Sequence, residues 1–157
     1  MRGEGDLRQY QFAVDYVAAA LRLGIGHGFD DKRGGFVNND FKNKWQAVAS
    51  YDFGVIRPYA LYGRDKYQNT ATTRAAVNYW LVGATAPLGG NFRTTLNYMA
   101  RDVQTDRAGV LKKIQGDISY SLSKRSTIYL YADRDTTNSN RADSRATAIG
   151  LGMLHQF

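Results

Sequence analysis

Arg22, Arg57 and Arg93 each follow a short break in the hydropathy pattern, at matching points in the segments that begin there. Guanidinium groups stay protonated at any working pH and bind anions through several N–H donors. Three of them in a row along neighbouring strands would concentrate anions in a narrow, water-filled passage with low-dielectric walls. Lys44, Arg74 and Arg101 share the same polar parity, as do Asp15, Asp52, Asp117 and Asp133, so cations exceed carboxylates there six to four. A structural role fits the same residues, with the arginines paired to those aspartates or extended along the rim of a sheet. The sequence leaves both open.

Other chemistries find less support. Cys is absent, which removes disulfides and thiolate metal sites. His27 and His155 are the two histidines, and no carboxylate is spaced to orient His155 as a base or ligand. Gly24-Ile25-Gly26-His27-Gly28-Phe29 has closely spaced glycines, but no helix follows to present its N-terminus to a phosphate. Asp30, Asp31 and Asp40 miss the EF-hand spacing. Asp15, Asp52 and Asp117 lie in separate segments, so no paired carboxylates or Ser/His/Asp set calls for an enzyme. No catalysis, cofactor or metal is expected.

The elements that must position the charges are strands. Aromatics make up 13% of the chain, with 11 Tyr, and 16 Gly stand against 2 Pro, a balance that favours pleated segments over helices. Period-2 alternation marks nine of them, near 8–17, 20–30, 43–53, 55–65, 73–85, 91–102, 112–122, 126–135 and 145–157. Ile114, Gly116, Ile118, Tyr120 and Leu122 alternate with Gln115, Asp117, Ser119 and Ser121. Trp45, Ala47, Ala49, Tyr51 and Phe53 do the same against Lys44, Gln46, Ser50 and Asp52. Segment 55–65 supports either parity, and Pro58, lacking an amide donor, belongs at an edge or bulge.

Connections alternate in length. Short turns fall at Val17–Ala20, near Gly54, at Ala86–Asn91 and at Ser123–Arg125, and polar loops at 31–42, 66–72, 103–111 and 136–144. Rings cluster near segment ends, as Tyr10 and Tyr16 or Phe92 and Tyr98 show. Long strands, alternating connections and terminal aromatics together describe a transmembrane antiparallel β-barrel, with short periplasmic turns and rings at both headgroup layers. A soluble β-sandwich also alternates, but its strands are shorter, and nothing in it makes loop lengths alternate. No apolar run approaches the ~18 residues of a spanning helix. The formal charge of +7 suits nucleic acid, an anionic membrane surface or an anion-attracting pore equally well.

The last segment carries the most specific pattern. Ile149, Leu151, Met153, His155 and Phe157 occupy one parity, and small residues the other from Ala146 to Gly152. The run Gly152-Met153-Leu154-His155-Gln156-Phe157, with the upstream hairpin Tyr120–Thr127, resembles the end of the general bacterial porins, especially the proteobacterial trimeric ones. That resemblance implies an all-β barrel of about sixteen strands in the cell outer membrane, contacting lipid and forming a homotrimer. It implies passive diffusion of small hydrophilic solutes and ions, without nucleic acid as a partner. Gly152, Met153, His155 and Phe157 would then form the signal read by the outer-membrane insertion machinery. The alternative is a structural or adhesive barrel that transports nothing. Nine strands is an odd number, and counting back from Phe157 puts Met1 on the extracellular side. Residues 1–157 are therefore expected to form a single wall segment, the C-terminal part of a longer barrel lacking about seven strands.

Overall fold

The computed structural model describes residues 8–31, 40–68, 74–104, 109–139 and 143–156. Nine strands fill them: β1 (Arg8–Ala18), β2 (Leu21–Asp31), β3 (Asp40–Tyr51), β4 (Arg57–Gln68), β5 (Arg74–Gly89), β6 (Phe92–Gln104), β7 (Gly109–Ser121), β8 (Ser126–Ser139) and β9 (Ser144–His155). They form one antiparallel sheet in chain order, each strand paired with the next. All nine expected segments are present, and the expected closing residue Phe157 lies outside the described residues.

The strands run further than the alternation marked. β3 starts at Asp40, β4 reaches Gln68, β7 starts at Gly109 and β8 reaches Ser139. The loops expected at 31–42, 66–72, 103–111 and 136–144 therefore shrink to residues 32–39, 69–73, 105–108 and 140–143 between strand ends. Connections at the other rim are residues 19–20, 52–56, 90–91 and 122–125. Much of the expected asymmetry in length thus lies in hairpins that stay laddered past the apolar zone. Hydropathy misses this because backbone pairing does not require apolar side chains.

Turn chemistry follows the backbone. Gly89 and Gly90 take positive φ (97° and 55°), and a bulge opens between Pro87 and Gly89 where β5 meets β6. Ala19, in the two-residue turn before β2, also sits at positive φ (48°), a conformation such tight hairpins demand and L side chains resist. Pro58 lies inside the sheet, in the fourth of nine strands. The last β3–β4 pair is Ser50–Tyr59, however, so at Pro58 the strand is paired only to β5, through Ala84. Its missing amide falls at a local edge.

Among the described residues no second layer covers the sheet: strands contact only their neighbours in sequence. Among the described residues the buried apolar side chains are Ala75, Val77 and Ala100. Ile149 and Leu151 are 75% and 79% exposed. A sandwich would hide such residues against a facing sheet, so the soluble alternative has no place to put them.

Candidate functional site: the two faces of the wall

Residues paired across antiparallel strands point to the same side, so the register sorts the side chains into two faces. Tyr10, Phe29, Trp45, Tyr62, Trp80, Tyr98, Ile114, Leu130 and Leu151 fall on one, the apolar face. Rings meet there in two bands. Toward the long hairpins, Tyr10 stacks on Phe29 (5.4 Å between centroids), Trp45 meets Tyr62 (5.2 Å) and Trp80 meets Tyr98 (5.2 Å). Toward the short turns, Tyr51 meets Phe53 (4.6 Å) and Phe92 meets Tyr120 (4.5 Å). Aliphatic side chains such as Val14, Ile25, Val82, Leu96 and Ile118 lie between the bands, exposed. This is the layering of a surface immersed in a bilayer.

The opposite face is polar, and the register places most of the charged positions singled out in the sequence on it. Asp15, Arg22, Lys44, Arg57, Arg93, Arg101, Asp117 and Asp133 share its rows. Two positions fall elsewhere. Asp52 follows the end of β3 and caps the turn, where its Oδ1 accepts the Gly54 amide at 2.7 Å. Arg74 pairs through its backbone with Gln68 at the very start of β5, in the parity of Trp80 rather than that of Tyr79. The expectation that Arg74 lines the polar face is therefore corrected: even positions of β5 belong to the rows of Tyr62 and Tyr98 on the apolar face.

Arg22, Arg57 and Arg93 are level. Arg22 pairs with Ser50 and Ser50 with Tyr59, two residues beyond Arg57. Arg57 pairs with Thr85 and Thr85 with Thr95, two beyond Arg93. That offset of one residue per strand is what strand tilt imposes on a closed barrel. Two adjoining concavities record the result: Arg22 and Arg57 line one of about 500 Å³, and Arg57 and Arg93 line the next, of about 190 Å³, with Asp52. Arg22 approaches Asp15 at 3.8 Å with both side chains more than half exposed, a weak pair. Among the described residues, Arg57 and Arg93 make no ion pair.

Several residues of this face escaped the sequence reading. Lys113 bridges Asp133 (3.1 Å) and Asp135 (3.6 Å), and Asp65 accepts from the Tyr67 and Tyr79 hydroxyls (both 3.4 Å) opposite Lys44 in register. The charges toward the long hairpins thus largely neutralise one another. Four tyrosines lie flat over glycines of the neighbouring strand: Tyr59 over Gly83, Tyr79 over Gly63, Tyr129 over Gly152 and Tyr131 over Gly150. A Cβ on any of these glycines would overlap the ring. Tyr59 also donates its hydroxyl proton to Asn97 Oδ1.

At the chain end, Gly152 lies beneath Tyr129 on the polar face, Met153 pairs with Ile128 on the apolar face, and Ser126 Oγ lies 2.9 Å from His155 Nδ1. Among the described residues no group of three His, Cys, Asp or Glu side chains could hold a metal.

A single-layer antiparallel sheet, apolar and ring-banded on one side and charged on the other, defines the wall of a membrane-spanning β-barrel. The chain belongs to the Gram-negative porin family, whose model matches residues 2–141. It is 25% identical over 154 residues to an outer membrane porin protein of Bordetella pertussis, covering 95% of this chain and 39% of that one. The fold matches an anion-selective porin from Comamonas acidovorans with a TM-score of 0.85 at 22% identity, covering 96% of this chain and 49% of that one. The chain therefore spans less than half the length of either relative. Family and fold are those of outer-membrane channel proteins, and the apolar face is the face turned to lipid.

Proposed function

We propose that residues 1–157 form one continuous stretch of the wall of a water-filled outer-membrane channel, through which small hydrophilic solutes and ions diffuse passively with anions favoured. The observation that carries this reading is the level row Arg22, Arg57 and Arg93 on the polar face, of which Arg57 and Arg93 lack an ion pair among the described residues. Elsewhere on that face Lys113 meets Asp133 and Asp135, and Arg101, which makes no ion pair among the described residues, adds to the positive sign that the row sets. The likeness in fold to a porin named as anion-selective supports the same reading. Asp15, Lys44, Arg101, Asp117 and Asp133 line the lumen with it. The channel is a homotrimer, and Gly152, Met153, His155 and Phe157 serve as the strand recognised by the insertion machinery. Neither catalysis, cofactor, metal nor nucleic acid enters this function.

Planar-bilayer recording of the full-length protein across a KCl gradient tests it. The expected result is stepwise conductance with a reversal potential on the anion side, moved toward the cation side by Arg57→Glu with Arg93→Glu. A reconstituted barrel with no stepwise conductance and no solute-driven liposome swelling would instead be a structural or adhesive wall.

A further inference from the structure

The polar face is not polar throughout. Val48 pairs with Leu61, Leu61 with Leu81 and Leu81 with Met99, so four apolar side chains stand level across β3, β4, β5 and β6. The strip ends at Gly24 on one side and at Lys113, engaged by Asp133 and Asp135, on the other. Its members are part-exposed, and among the described residues no second layer covers them. Apolar surface left against water favours whatever can cover it. One row nearer the short turns, the Tyr59 ring lies over Gly83 and donates its hydroxyl proton to Asn97 Oδ1, which fixes the ring as a platform beside the strip. The concavity of about 500 Å³ joins these parts to the arginine row: Arg22, Arg57, Tyr59, Val48, Leu61 and Leu81 share its lining, and no carboxylate does. Four residues separate Arg57 from Leu61 along β4, roughly 13 Å of strand. A ligand that touches both must carry charge at one end and an apolar body at the other.

We infer that this concavity is a subsite for amphipathic organic anions: monocarboxylates whose carboxylate meets Arg22 and Arg57 and whose compact apolar body, a ring or a branched chain, lies on Tyr59, Leu61 and Leu81. The inference rests on the reading of the polar face as the lumen and goes beyond it by choosing among anions. A planar guanidinium matches a carboxylate through paired N–H donors. A small inorganic anion would use the arginines and leave the strip wet. A neutral apolar compound would cover the strip and leave the guanidiniums unmatched. A solute with both parts uses both, and binding at an open wall stays weak enough for it to leave again.

The test measures binding to the purified full-length protein in lipid nanodiscs at neutral pH by fluorine NMR, with empty nanodiscs as background. The probes are para-fluorophenylpropanoate; fluoroacetate, which keeps the charge without the ring; and para-fluorophenylpropanol, which keeps the ring without the charge. The first should bind about tenfold more tightly than either of the others, a gap of roughly 1.4 kcal/mol. Leu61→Gln with Leu81→Gln should erase its advantage over fluoroacetate, and Arg22→Gln with Arg57→Gln should erase its advantage over the alcohol. Ala146→Gln, in the same row as Met99 but on β9, should leave all three affinities as they are. Fluoroacetate binding as tightly as the first probe would reduce the site to a row of charge, and the alcohol doing so would reduce it to partition; either result, or undiminished binding in either double variant, overturns the subsite. The readout needs no current. A protein that prefers the amphipathic probe yet shows no stepwise conductance keeps the subsite and loses the channel reading, and one that conducts without that preference does the reverse.

Discussion

Each glycine beneath a tyrosine on the polar face answers a steric demand from the strand beside it. A Cβ at Gly63 would enter the Tyr79 ring, whereas at Gly26 the nearest atom, Gln46 Cγ, is 3.7 Å away. Gly63→Val should lower stability by about 1–3 kcal/mol through overpacking, and Gly26→Ala should leave it nearly unchanged. Thermal unfolding in detergent compares the two, and equal midpoints would refute the packing. These pairs were not legible in the sequence because parity is read along one segment and each glycine's tyrosine sits on another. Lys113 escaped for the same reason: its partners Asp133 and Asp135 lie on the next strand. What single-segment parity did reveal was the face of Arg22 and Arg93, each in a clean alternation close to its turn; segment 55–65 allows either parity, and it is the pairing of Arg57 with Thr85 that assigns its face.

For a whole strand, the bilayer sets the cost of a change by the face it falls on. Leu96 and Thr95 are adjacent in β6, yet Leu96 meets lipid between the ring bands and Thr95 lies on the polar rows. Leu96→Arg should cost about 2–4 kcal/mol near the midplane, and Thr95→Arg well under half of that. Urea unfolding in phospholipid vesicles measures both. At the turn before β2, Ala19→Gly should add stability of about 1 kcal/mol by relieving the left-handed strain at φ 48°. Strand number, order of magnitude of length and most facings were readable from alternation. The hairpin ends were not, because Thr136–Asn138 continue the ladder with polar side chains on both faces, and Asp102–Gln104 continue it with Val103 on the polar-face row and polar residues on the other, against the alternation. Arg74 stands at such an end, where it pairs with Gln68 and no alternation reaches to mark its parity.

The wall as a whole has two outermost strands, and β1 and β9 are each paired on one side among the described residues. Hydrocarbon cannot satisfy a bare row of amides and carbonyls, so each edge needs a strand to pair with, from the same barrel or from a second copy of the chain. The 157-residue chain purified alone in detergent should therefore self-associate in sedimentation. A monodisperse monomer with slow amide exchange along both edges would mean that nine strands close on themselves. Family membership was legible from the terminal run, although the family model matches residues 2–141 and so ends before β9 begins. The short run and the long match are thus separate lines toward one conclusion. Strict chain order has a consequence for how the wall is made. Every pairing joins neighbours in sequence, so no contact waits for a distant part of the chain, and each hairpin closes a loop of low entropic cost. Assembly can advance as a zipper, one hairpin templating the next, with the exposed edge of each unfinished stage serving as the landing strip for the strand that follows.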